Sequence, residues 1–162
     1  MTRDLTVRAV SPADAGGIAR VHLQAWRESY AHLLPAAALA GLQQGPRERS
    51  WRSIIAAGTS SVWVACAGAE IVGWASAGAG RDEDGPRDRE LMGLYVLASQ
   101  YGSGAGQLLL DSAVADSGAY LWVAEQNPRA LAFYRRNGFS PDGSAADHEL
   151  LGTPVRILRM VR

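Results

Sequence analysis

One stretch past the middle of the chain constrains the fold more than any other: Gly93-Leu94-Tyr95-Val96-Leu97-Ala98-Ser99-Gln100-Tyr101-Gly102-Ser103-Gly104-Ala105-Gly106-Gln107-Leu108-Leu109-Leu110. A short apolar run stops, glycines alternate at 102, 104 and 106, and a helical pattern begins, so the segment reads as strand, loop, helix. Glycine lets the backbone take a positive φ and approach a ligand closely, because no Cβ intervenes. From Ala105 the apolar positions Leu108, Leu109 and Ala113 recur at helical spacing. A helix therefore starts where the glycines end, and its N-terminus adds partial positive charge. The loop Tyr101, Gly102, Ser103, Gly104, Ala105, Gly106 is thus expected to seat a pyrophosphate, with a plain tight turn as the alternative.

Glycines between strand and helix also mark dinucleotide-binding turns. That fingerprint opens a βαβ unit and is followed about 20 residues later by an acidic residue. Here the loop lies late in the chain, although Glu125 follows at a comparable distance, so a Rossmann-like nucleotide-binding oxidoreductase is disfavoured but stays open. The next stretch discriminates better. After the β-rich run Leu121-Trp122-Val123-Ala124 come Asn127 as a helix N-cap, Pro128 at the first helical position, and Gly138 just past the last turn. Together, Leu94-Tyr95-Val96, the loop Tyr101 to Gly106, and Asn127 with Ala130, Phe133-Tyr134 and Gly138-Phe139 resemble the GNAT superfamily of acyl-CoA-dependent N-acetyltransferases.

That resemblance implies one GNAT-like domain over residues 1–162, with a mixed, mostly antiparallel sheet splayed at its centre and flanked by helices. It also implies acetyl-CoA as cosubstrate and transfer of its acetyl group to a primary amine by direct attack in a ternary complex. The backbone of Leu94 and Val96 would hold the pantetheine arm and thioester. Asn127 would add a hydrogen bond to that arm beside its capping role. Tyr134 would donate a proton to the departing thiolate, or only orient the sulfur. Glu90 matches the position that supplies a carboxylate base in some members. A strand-end ion pair, with the amine losing its proton through ordered water, explains it equally. One departure stands out: the first loop position is usually Gln or Arg in this family, and here it is Tyr101, which leaves pyrophosphate binding to backbone N–H groups. A non-catalytic acyl-CoA-binding module is the runner-up.

The rest of the chain fits a single α/β domain. Its 162 residues suffice for a sizeable core. Leu5 to Val10 alternates as a strand, Ser11-Pro12 opens a helix through Ile18, Trp26 and Tyr30, and Pro46 to Ala57 forms another, stopped by Gly58. In GNAT-like proteins these helices build part of the acceptor side, so Trp26 and Tyr30 are the candidate substrate contacts, in competition with plain core packing. Ser61 to Ala77 reads as an antiparallel hairpin turning at Gly68-Ala69. Period two then puts Glu90, Met92, Leu94 and Val96 on one face of the following strand. Gly78 to Asp88, with Asp82-Glu83-Asp84, reads as an exposed loop, or a lid for a cationic acceptor. Ser140 to Gly143 reads as a turn, Ser144 to Pro154 as a surface connection, and Val155 to Met160 as the strand closing the sheet.

Composition narrows the chemistry. Net charge is formally zero and dispersed, so no basic face calls for nucleic acid or membrane. Lysine is absent, which removes Schiff-base and Walker-A chemistry. Cys66 lies in an alternating strand and reads as a buried structural thiol in a reducing compartment. His22 and His32 lack partners for a metal site. No leader or membrane-spanning run is apparent, so the expected location is the cytoplasm. The acceptor, a small-molecule amine or a protein amine, is not legible, and homodimerisation is common among similar proteins.

Overall fold

The computed structural model describes residues 4–162. In order these form β1 (Leu5–Ala9), a one-turn 3-10 helix (Pro12–Asp14), α1 (Ala15–Tyr30), α2 (Ala36–Ala40), α3 (Gln44–Ala57), β2 (Ser60–Ala67), β3 (Glu70–Ala79) and β4 (Arg89–Val96). There follow α4 (Ala105–Val114), β5 (Tyr120–Ala124), α5 (Pro128–Arg136), β6 (Ser140–Leu150) and β7 (Thr153–Val161). The strands make one sheet, ordered β1-β2-β3-β4-β5-β7-β6. All pairings are antiparallel except β4 with β5. That parallel pair is in register only at Glu90 and Tyr120, after which the strands diverge.

Helices cover both faces, which is why the central strands are apolar on both sides. On one face α4 and α5 place Leu109, Leu110, Tyr134 and neighbours against Ala75, Ala77 and Leu121. On the other, α1 and α3 bury Ile18, Val21 and Trp51 against Val62, Val64 and Trp74. Cys66 belongs to this second layer and is buried. Local signals produce the expected boundaries. Ser11 forms a capping box with Asp14 ahead of α1, Gly58 ends α3 at φ 62°, and the Asn127 side chain accepts the Ala130 N–H to start α5. Among the described residues no helix is long and apolar enough to cross a membrane.

Four expectations are corrected. α3 begins at Gln44, two residues before Pro46. Leu108 is exposed on α4, because Ala105, Leu109 and Ala113 carry its buried face. The stretch from Ser140 is neither turn nor surface connection but the long strand β6. It hydrogen-bonds to β7 with an irregular register between Pro141 and Ala145, so β7 is inserted between β5 and β6 and the sheet ends on β6.

The fourth correction concerns β4. Gly93 pairs with Ser76 and Leu91 with Ala77, which leaves Met92 as an extra, bulged residue. A bulge shifts the alternation by one. Leu91 therefore joins Leu94 and Val96 on the α4 face, while Glu90 turns to the opposite face toward the Tyr120 hydroxyl. Glu90 and Leu94 do not share a face.

Candidate active site

Where β4 and β5 part, two cavities open and meet. The first, ≈ 300 Å³, lies between the glycine loop, α4 and α5. The second, ≈ 610 Å³, lies on the side of α1 and the β6–β7 hairpin. Leu94, Tyr95, Asn127, Ala130 and Tyr134 line both, so the gap in the sheet joins them.

The first cavity is made largely of backbone. Gly102 and Gly104 take φ of 79° and 93°, a left-handed conformation that side chains with a Cβ disfavour. They turn the chain so that α4 starts facing the cavity, with Gly106 and Gln107 in its first turn. First-turn N–H groups have no partner inside the helix, which makes this end an anion seat. Gly102, Gly104, Ala105 and Gly106 line it, together with Tyr101, Leu94, Val96 and Asn127. Ser103 does not. Its hydroxyl accepts the Ala105 N–H at 3.2 Å and stabilises the loop itself. Phe133 supplies an apolar wall, and Arg129 and Arg136 are the cations of the lining. Backbone donors and cations at one end with an apolar channel at the other suit a ligand with phosphates on a long, thin arm, as in CoA.

The second cavity is made of side chains. Trp26, Tyr30, Tyr95 and Trp122 line it. The Tyr30 and Tyr95 hydroxyls are hydrogen-bonded at 2.9 Å, and Trp26 packs edge-on against Tyr30 at 5.4 Å. Behind them, the ring of buried His22 lies 5.1 Å from that of Trp74 and 5.8 Å from that of Tyr95. Its Nδ1 accepts the Trp51 Nε1–H at 3.1 Å. Burial, reinforced by Arg47, lowers the His22 pKa to about 3, so the ring is neutral. His32, in contrast, bonds the Gln126 carbonyl from the surface.

Glu90 forms the floor of this side and is 1% exposed. Its carboxylate accepts the Arg81 Nε–H at 3.0 Å, the Nη2–H at 2.7 Å, the Arg81 backbone N–H at 3.1 Å and the Tyr120 O–H at 3.3 Å. All of its nearby partners are donors. The loop between β3 and β4 is consequently pinned rather than free. Asp82 accepts the Trp122 Nε1–H at 2.9 Å and an Arg159 N–H at 3.1 Å, and the same guanidinium bonds Asp84 and Asp142 at 3.0 and 2.7 Å. Arg159 is itself buried, and these carboxylates hold it charged. Sequence reasoning missed Arg81 and Arg159 as builders of the cavity, and placed Asp82 only in an exposed loop or a lid. Their only signal was a cluster of charges, which by itself reads as solvated.

Tyr134 sits at the junction. It is 8% exposed, and its hydroxyl makes no hydrogen bond among the described residues. Burial, with a smaller contribution from Tyr30, raises its pKa, so the phenol keeps its proton.

Comparison with known proteins agrees with this architecture. The chain is 32% identical over 160 residues to the uncharacterized N-acetyltransferase YuaI of Bacillus subtilis, covering 94% of this chain and 89% of that one. A probable N-acetyltransferase of Mycobacterium tuberculosis is 29% identical over 146 residues, covering 86% and 82%. Among solved structures, the PaiA N-acetyltransferase of Thermoplasma acidophilum in complex with coenzyme A superposes with a TM-score of 0.71 at 19% identity, covering 96% of this chain and 98% of that one. Residues 23–139 match the model of the Acetyltransferase (GNAT) family, and the chain belongs to that family.

Proposed function

We propose that the chain is an N-acetyltransferase that uses acetyl-CoA and acetylates a primary amine by direct attack, both substrates being bound at once. The observation that carries this reading is the meeting of the two cavities at Tyr134, through a gap that only the splay of β4 from β5 creates. Acetyl-CoA supplies an activated acetyl thioester. The chain's residues supply position and protons. The loop from Tyr101 to Gly106 holds the pyrophosphate through its N–H groups. The β4 backbone at Leu94 and Val96, freed from β5, pairs with the pantetheine arm, and an N–H there polarises the acetyl carbonyl. Asn127 orients the arm. Tyr134, neutral and without another partner, gives its proton to the thiolate as the C–S bond breaks.

Glu90 then acts as a positioning residue. Four donors already occupy its carboxylate, so the incoming amine loses its proton through ordered water rather than to Glu90 directly. Trp26 and Tyr30 shape the acceptor side. The acceptor presents its amine into an aromatic-walled cavity, either as a free small molecule or as the end of a protein side chain or terminus. Cys66 is buried and plays no part, and a cytoplasmic, reducing location suits it.

Thermal unfolding with acetyl-CoA, CoA, NAD and NADP tests the cofactor, since a ligand at a hundred times its Kd adds about 2.7 kcal/mol of stability. Shifts with the two CoA forms alone are expected. Thiol release across a panel of amines then separates an enzyme from a CoA-binding module. With an acceptor in hand, Tyr134→Phe should lower kcat about tenfold to a hundredfold while leaving CoA affinity intact. An unchanged kcat would remove the acid role.

A further inference from the structure

From Glu90 to Pro128 the chain contains no basic residue, so neither the glycine loop nor α4 brings a cation to the phosphates. Tyr101, at the head of the loop, offers a neutral ring instead. Over that ring, 3.9 Å from its centroid, lies the guanidinium of Arg129 from α5. We infer that Arg129, reaching from α5 and stacked on Tyr101, binds a phosphate group of the nucleotide half of CoA. This rests on the CoA-dependent reading above.

Three observations converge. First, Arg129 lines the cavity and makes no hydrogen bond or ion pair among the described residues. A guanidinium that stacks uses its face, which leaves its five in-plane N–H donors available for the paired oxygens of a phosphate. Second, Arg129 occupies the first turn of α5, directly after Pro128. A cation there opposes the helix dipole, whereas Arg135 and Arg136 in the last turn complement it. An anion bound between the two helix N-termini reverses that penalty. Third, Tyr101 is 37% exposed, a large ring on the surface whose contact with Arg129 gives it a purpose. Cation–π contact fixes a long, flexible side chain before the ligand arrives. Tyr101 thus orients a cation supplied by another helix, where similar proteins place a polar or charged residue at its own position.

The test is direct binding by calorimetry, without turnover, of CoA, dephospho-CoA and pantetheine to the wild-type protein and to Arg129→Ala, Arg129→Lys and Tyr101→Ala. Arg129→Ala should weaken CoA about tenfold, the loss expected for a charge-assisted contact, and leave pantetheine unchanged. Arg129→Lys should recover part of that affinity, and Tyr101→Ala should lose less than Arg129→Ala. Equal weakening of CoA and dephospho-CoA assigns Arg129 to the pyrophosphate. Weakening of CoA alone assigns it to the 3′-phosphate. Unchanged CoA affinity in Arg129→Ala, or an equal loss for pantetheine, overturns the inference while leaving CoA binding by the wild type intact. Failure of the wild type to bind CoA overturns both.

Discussion

The two cavities that meet at Tyr134 are built on different principles. The first is shaped by backbone: a left-handed turn at Gly102 and Gly104, a helix start, and a strand that leaves its neighbour. The second is shaped by side chains from distant parts of the chain, held by the ion pair of exposed Arg81 with buried Glu90, the clasp of Arg159 on Asp82, Asp84 and Asp142, and the packing of aromatic rings around His22. On the reading proposed above, the cofactor would be served by geometry that few residues can alter, and the acceptor by identities that substitution can change. Disturbing the second region should cost stability before it costs CoA affinity, and disturbing the first should do the reverse.

The largest effect is expected at acid pH. An unfolded histidine titrates near 6.5, while His22 is held to about 3 by burial. The folded pKa lies below the unfolded one, so this stabilisation is complete above pH 6.5 and is lost as pH falls from there toward 3. At pH 4.5 the loss should reach roughly 2–3 kcal/mol, at about 1.4 kcal/mol per unit. Urea unfolding at pH 7 and 4.5 should show His22→Gln to be less sensitive than the wild type. Equal slopes would mean that His22 is not the neutral centre of this region.

Next comes Gly93→Ala. A Cβ there would lie 2.7 Å from Trp74 Cη2 in the aromatic layer, and overpacking of this kind costs about 2 kcal/mol. Arg81→Ala, which leaves the buried carboxylate of Glu90 with only Tyr120 and a backbone N–H, should cost about 1–2 kcal/mol with CoA affinity retained. The smallest stability effect, about 1 kcal/mol, is expected for Gly102→Ala. No atom lies within 4 Å of its Cβ position, so only the positive φ opposes the change. CoA affinity, measured by calorimetry, should fall in that variant more than in the other three. If Gly93→Ala weakened CoA more than Gly102→Ala, the division between the two regions would fail.

The same division explains what could be read from the sequence. The loop, both ends of α5, and the capped start of α1 depend on residues within a few positions of one another, and all are legible. The facing of Glu90 is not, because the bulge at Met92 exists only through pairing with β3. β6 was hidden because Pro141, Asp142 and Gly143 carry turn chemistry and fall at a break in register, while the pairing that makes a strand on either side of them, at Ser140–Pro141 and from Ala145 on, comes from β7. Asp84 is exposed, as the sequence implies, but the inward turn of Asp82 is not legible, because Arg159, which it pairs with, lies 77 residues away.

Mechanically, the sheet is scored along one line. Between β4 and β5 a single register pair joins Glu90 and Tyr120, and at that same end the Asp82 loop reaches across to Trp122 and Arg159. The seam is fastened at one end and unfastened at the other, as in a clothes-peg. Strand pairing between the two halves of the sheet is confined to the fastened end, and on the reading proposed above a molecule lodged in the open end would supply the missing rungs. Amide exchange along Leu94 to Val96 and Val123 to Ala124 would therefore report how firmly the jaws are held.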